Sequence, residues 1–191
     1  IQNQILSYKV VDSQPFEQKL LVAERIAGYL LPSRIPAVPG YSIVSSRQDR
    51  PWVIEFFSGQ SSETWFFTLL FARRSSASAG LVLAGLLGSL HSFVHRESNI
   101  TLHRLMAQLK RDPALLRAEY PVDFLLGELE AGRHRLTILV ESRNFDIRNP
   151  LSPDKQLVSL GWRNYIDMTE QRSIRIQHSG ETALIIRKLN G

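Results

Sequence analysis

The stretch FARRSSASAGLVLAG, residues 71–85, runs from the end of an aromatic, apolar segment through a turn of arginine and serine into a small-residue helix. In α/β and α+β proteins such a strand-to-helix turn is a place for phosphate or a metal-bound phosphate, because free backbone N–H groups converge on it. Here the turn carries Arg73 and Arg74 and no acidic residue. As a charge pair it also reads as a solvated strand end.

Working outward, the chain has 191 residues, enough for one domain with a sizeable core. With 43% hydrophobic, 9% aromatic and 21% charged residues, the composition is that of a globular protein and excludes a disordered chain. The longest apolar stretch, AGLVLAGLLGSL at 79–90, is too short for a bilayer, which needs about 20 residues, and reads as a buried helix. No cysteine is present, so disulfides and thiolate metal sites are excluded, and a cytoplasmic location is expected. The net charge is +5, but the basic residues are spread thinly, without the interleaved aromatics of a single-strand binder. Neither a nucleic-acid partner nor a membrane is therefore expected. The chain begins at Ile1 without a basic signal region and is read as a piece of a longer protein.

Element by element, Ser13 and Pro15 open a helix in which Phe16, Leu20, Ala23, Ala27 and Leu30 follow a heptad seam and Pro32 closes it. That seam is expected either to pack on the domain or to form a homodimer interface, and Glu17 and Glu24 solvate the helix. We divide the chain into this N-terminal helical segment, 1–33, and a domain over 34–191. YSIVSS, PWVIEFF and ETWFFTLLFA read as three strands. The small-residue helix runs to about His95. A second helix spans Thr101–Lys110 with Leu102, Leu105, Met106 and Leu109 on one face, and Asp112–Pro113 signals a third. Residues 123–142 form a hairpin around Glu130–Ala131–Gly132, followed by short strands near 144–148, 156–160, 173–177 and 182–187. This order predicts an α+β fold with a mainly antiparallel sheet.

Several strings in that order carry a resemblance. AERIAGYLLPSRIPAVPGYSIVSSRQ at 23–48, SAGLVLAGLLGSLHSFVHR at 78–96, LLGELEAGRHRLTILVESRNFDIRNP at 125–150 and HSGETALIIRKLNG at 178–191 occur in sequence. Together they resemble the sporulation stage II protein E branch of the bacterial type 2C metal-dependent serine/threonine phosphatases. The resemblance implies an α/β-β/α sandwich shortened at its C-terminus. Members of that family hydrolyse phosphoserine and phosphothreonine with two divalent metals held by aspartates, which activate water and polarise the phosphoryl oxygens.

The departures from the family pattern concern those aspartates. Its Gly-Gly-Asp-x-x-Asp motif falls on Val53–Ser58, leaving Glu55 as the carboxylate and Ser58 at the end. The Gly-Asp-Val-Ser-Gly motif falls on Arg74 and Ser75, and Tyr-Thr-Asp-Gly falls on Ile186–Leu189, placing Lys188 at the third ligand position. One carboxylate with added cations would hold two metals against repulsion on the order of several kcal/mol.

The resemblance therefore implies a pseudophosphatase with no metal and no cofactor, acting as a protein-interaction module in bacterial signal transduction. Its partner would be an anti-sigma antagonist or another signalling protein of the partner-switching kind. Glu55 is expected to converge with Arg74, Ser75 and Lys188. The degenerate site would then be plugged by a Glu55 ion pair, or left open so that Arg73, Arg74 and Lys188 bind an anion or a partner's acidic side chain. Two other readings stay open: an active phosphatase with a rearranged site, and an unrelated α+β scaffold of a secretion or motility assembly. His91 and His95, four apart, have zinc-binding spacing but no third ligand evident in the sequence, and are read as a surface pair.

Overall fold

A computed structural model describes residues 35–46, 52–59, 61–73, 77–112, 121–158 and 163–189. Phe16, Leu20, Ala23, Ala27 and Leu30 lie outside the described residues, as do Arg74, Ser75 and the helix expected from Pro113 onward. The strands are β1 (Tyr41–Ser45), β2 (Trp52–Ser58), β3 (Thr64–Ala72), β4 (Val122–Glu130), β5 (Arg135–Val140), β6 (Phe145–Asn149), β7 (Ser152–Gln156), β8 (Arg163–Asp167), β9 (Ser173–His178) and β10 (Glu181–Lys188). The helices are α1 (Ala77–Arg96), α2 (Leu102–Arg111) and the single-turn α3 (Met168–Gln171). The chain is thus α+β. The described strands form two five-stranded sheets, β1-β10-β9-β6-β7 and β2-β3-β4-β5-β8.

All the pairings are antiparallel. Strand β3 shows why the second sheet sits in the middle. Its run TWFFTLLFA is apolar on both faces, as a strand covered on both sides must be. Phe67, Leu69 and Phe71 face the first sheet, where they meet Leu184, Ile174, Ile176 and Ile186. Phe66 and Leu70 face the helices, where Leu83, Leu86, Leu87 and Leu90 of α1 and Leu102, Leu105 and Leu109 of α2 close a second core. Thr68 lies on that same helix-facing side, fully buried, and donates its hydroxyl to the Leu125 carbonyl at 3.4 Å. Among the described residues the long helices cover only this second sheet.

Helix α1 is amphipathic rather than buried all round: Leu81 is 42% exposed while Leu83 is fully covered. Helix α2 begins at Thr101, whose hydroxyl accepts the Arg104 N–H at 3.3 Å, and its four expected apolar residues are all buried. Each such leucine stabilises the fold by about 2 kcal/mol relative to an exposed one.

The expected strand at 156–160 is found earlier, at Ser152–Gln156, and β8 and α3 were not foreseen. In β8 only Ile166 is buried, so its residues do not show the strict alternation by which a half-buried strand is recognised. The β9–β10 hairpin turns at Ser179 (φ 50°) and Gly180 (φ 87°), two successive positive values that define the turn type suited to a two-residue hairpin. This turn sets His178 opposite Glu181 and hence at one end of the sheets.

A buried carboxylate at the end of β3

Arg73, the residue after β3, belongs to a polar cluster built from four separate parts of the chain. Antiparallel pairing of β3 with β4 puts Ala72 opposite Val122, so Arg73 and Asp123 come together where β3 ends and β4 begins. The Arg73 N–H also donates to the Pro121 carbonyl at 3.0 Å. Along β4, Asp123 shares a face with Leu125 and Leu129, which point into the core between the sheets. Its side chain is completely covered, and an isolated carboxylate there would be costly.

That cost is offset by donors from all sides. Arg73 Nε lies 2.7 Å from Oδ1, Asn144 Nδ2 lies 2.6 Å from Oδ2 and His178 Nε2 lies 3.0 Å from Oδ2. The Ser142 hydroxyl donates as well. Burial alone would raise the carboxyl's pKa, but the hydrogen bonds from His178, Asn144, Ser142 and Arg73 outweigh it and hold the group well below the usual carboxylate range.

The donors are themselves fixed. His178 is 3% exposed and stacks on Phe71 at 4.0 Å between ring centroids, with Phe145 on a second side at 5.0 Å. Asn144 is held through its backbone: its N–H donates to the Ser142 hydroxyl at 3.2 Å and its carbonyl accepts from the Ser179 N–H at 2.8 Å. Arg73 is half-exposed, at 51% of its side chain, and Asn144 is exposed as well.

The expected convergence of Glu55 with Lys188 does not occur. Glu55 shares a face of β2 with Val53 and Phe57, which pack under the helices. Its Oε1 lies 3.7 Å from His91 Nε2 on α1, and its buried Oε2 has no hydrogen-bond partner. Burial raises the Glu55 pKa against a smaller opposing contribution from the Phe56 backbone, and burial together with the His95 charge lowers that of His91.

Lys188 is on the other sheet, opposite Tyr41. Counting seven residues along β10 from Glu181, it is roughly 23 Å along the strand from the His178 end. The two residues are separated because strand alternation turns Glu55 toward the helix layer, while Lys188 ends a strand of the other sheet at the far end. Lys188 instead lies near Asp167, adding to the Thr169 hydrogen bonds that lower the Asp167 pKa. Ser58 is exposed at the end of β2, opposite Trp65.

His91 and His95 lie side by side, with ring centroids 6.4 Å apart, and His91 packs edge-on against Phe57. Among the described residues no group of three or more histidine, aspartate or glutamate side chains is arranged to hold a metal ion. No helix among them is long and apolar enough to cross a membrane.

Sequence reasoning missed Asp123, although a signal was present. In VDFLLGELE the acidic residue falls two places before Leu125, on the inward-facing register of the strand. Ser142 and Asn144 lie within one of the four resembling strings, and His178 begins another.

No protein-family model matches the chain, and no curated protein sequence matches it significantly. Among solved structures it is similar to the RsbU and RsbW domains of Rv1364c from Mycobacterium tuberculosis. That match has 11% identity and a TM-score of 0.49, and covers 83% of this chain and 43% of the other. It is also similar to the PP2C phosphatase domain and regulatory-domain fragment of the cell fate determinant SpoIIE from Bacillus subtilis. There the identity is 12% and the TM-score 0.39, with 82% of this chain and 39% of the other covered. The chain thus spans less than half the length of either match. At these identities the similarity concerns the course of the chain and carries no chemistry.

Proposed function

We propose that this chain is a phosphatase-like domain without catalytic activity that works as a regulatory protein-interaction module. The observation that carries the reading is the occupation of Asp123. At the strand end beside the turn, this carboxylate is bound by Arg73, Asn144, His178 and Ser142. A carboxylate needs free lone pairs and an approach path to bind a divalent cation, and these are spent on the protein's own donors. Arg73 holds a fixed positive charge against this carboxylate, and a divalent cation approaching it would meet that charge. A signalling partner protein, as the sequence resemblance implies, is part of the same proposal.

The test is hydrolysis of p-nitrophenyl phosphate and of a phosphoserine peptide with manganese or magnesium present. Turnover equal to the metal-and-buffer blank is expected. Turnover above the blank that disappears in Asp123→Asn or Glu55→Gln would overturn the reading in favour of an active phosphatase.

A further inference from the structure

A second site lies on the other side of the loop that holds Asp123. Residues 141–144 connect β5 to β6. Ser142 and Asn144 of this loop serve the buried carboxylate, whereas Arg143 lines a cavity of about 120 Å³ together with Val140, Ser142, Phe145, Ile147, Gln156 and Val158. Val140, Phe145, Ile147 and Val158 are buried members of the inter-sheet core, so the cavity is a gap in that core at its β6–β7 margin. Arg143 and Gln156 are exposed and form its polar side. The volume approaches the roughly 150 Å³ of cavities that admit a benzene-sized group, so it has room for one apolar side chain.

Two further features bear on the occupant. Arg143 has no carboxylate partner among the described residues, a property it shares with Arg96, Arg111, Arg172, Arg175 and Arg187, but of these it is the one that lines the cavity. Strand β7, which ends at Gln156, is the margin of its sheet, with no described strand beyond it. A sheet margin presents a row of backbone donors and acceptors to any extended chain.

We propose that this cavity and the margin of β7 take an extended segment of a partner protein, with one apolar side chain in the cavity and an adjacent acidic side chain on Arg143. The proposal rests on the interaction-module reading and names its recognition site. The apolar group supplies burial, and the carboxylate forms the charge-assisted pair that Arg143 lacks. A guanidinium presents paired donors to a carboxylate, so glutamate suits the position.

The experiment uses a fluorescein-labelled peptide of alternating Ser-Leu-Glu triplets, titrated by anisotropy against the whole chain. Two control peptides carry serine for each leucine, or glutamine for each glutamate. Saturable binding is expected for the parent peptide, with about tenfold weaker binding for Arg143→Gln, the loss of one charge-assisted contact. Val158→Phe, which fills the cavity, should abolish binding. Because Val158 is buried, its fold is checked by circular dichroism, and Arg143→Gln on the exposed side is decisive if Val158→Phe does not fold. The proposal is overturned by absence of saturable binding to the wild type, or by equal affinity of Arg143→Gln or of either control peptide. Lack of both binding and phosphatase turnover refutes the cavity proposal alone, whereas binding together with turnover refutes the non-catalytic reading alone.

Discussion

His178 Nε2 donates to Asp123 Oδ2 at 3.0 Å across 55 residues of chain, joining the last residue of β9 to the start of β4 and so tying the two sheets together at one end. The bond is roofed by Phe71 and Phe145, so water does not compete for it. An ionised carboxylate accepts only, which places the proton on Nε2.

Asp123→Asn is the first prediction that follows from this bond. The amide turns one acceptor into a donor and sets it against Arg73, Asn144 and His178, leaving buried donors unpaired. Breaking one partner out of a buried charged network costs roughly 3–5 kcal/mol. Arg73→Gln should cost far less, about 1 kcal/mol or below, because that side chain is half-exposed. Urea denaturation of the two variants measures the difference, and a larger loss for Arg73→Gln would refute the assignment of the network's centre to Asp123.

Buried Asp123 and partly buried Glu55 make opposite contributions to the pH dependence of stability. Asp123 has its pKa lowered on folding, so its contribution is present above the unfolded value, about 3.9, and is lost as pH falls toward the folded value. Glu55 has its pKa raised, so its contribution is full below the unfolded value, about 4.3, and fades as pH rises through the folded one. Accordingly Asp123→Asn should flatten the acid limb of a stability profile. Glu55→Gln should raise stability at neutral pH relative to acid, since it removes a charge with one unpartnered buried oxygen. Thermal melts between pH 3 and pH 8 distinguish the two, and matching profiles for both variants would contradict this account.

Gly127 faces Phe67 across the β3–β4 pair, and a Cβ built there would come within 2.0 Å of the ring's Cζ. The ring is 1% exposed and has no room to withdraw. Gly127→Ala should therefore cost about 1–3 kcal/mol, the range for overpacking a closed core. Shortening the ring in the double variant Gly127→Ala/Phe67→Leu should recover part of it. A chemical denaturation cycle over the four proteins checks this, and additive losses would show that the two sites do not share the space.

Much of the architecture could be read from local pattern. The β3 run TWFFTLLFA, the small-residue α1 and the Thr101-capped α2 each carry a period or a cap that local chemistry enforces. The polar site was less legible. Resemblance to a motif placed Glu55 and Lys188 at one centre, yet the facing of each residue depends on register, and a side chain on a strand turns to the opposite sheet face with each single step. Asp123 acquires its meaning only from Arg73, Asn144 and His178, residues brought in by three pairings of long sequence separation. Nor does β8 announce itself, because only Ile166 among its residues is buried.

At the far end of the sheets, Tyr41 links the first strand to the β4–β5 connection: its hydroxyl lies 3.2 Å from His134 Nδ1, and His134 is held at a positive φ of 51°. Burial, with the nearby Asp167 charge adding to it, pushes the Tyr41 pKa up to about 12. An acid whose folded pKa lies above its unfolded value of about 10 stabilises the fold below that unfolded value and loses the contribution as pH rises through the folded one. The protein should therefore destabilise between about pH 10 and pH 12 through this residue. Phenolate absorbance should contain a late step near pH 12 that belongs to Tyr41. Tyr41→Phe removes the hydrogen bond, at about 1 kcal/mol near neutral pH, and removes the late-ionising phenol with it. If the absorbance titration of Tyr41→Phe still contained that late step, the step would belong to another tyrosine and the coupling of Tyr41 to His134 and Asp167 would be wrong.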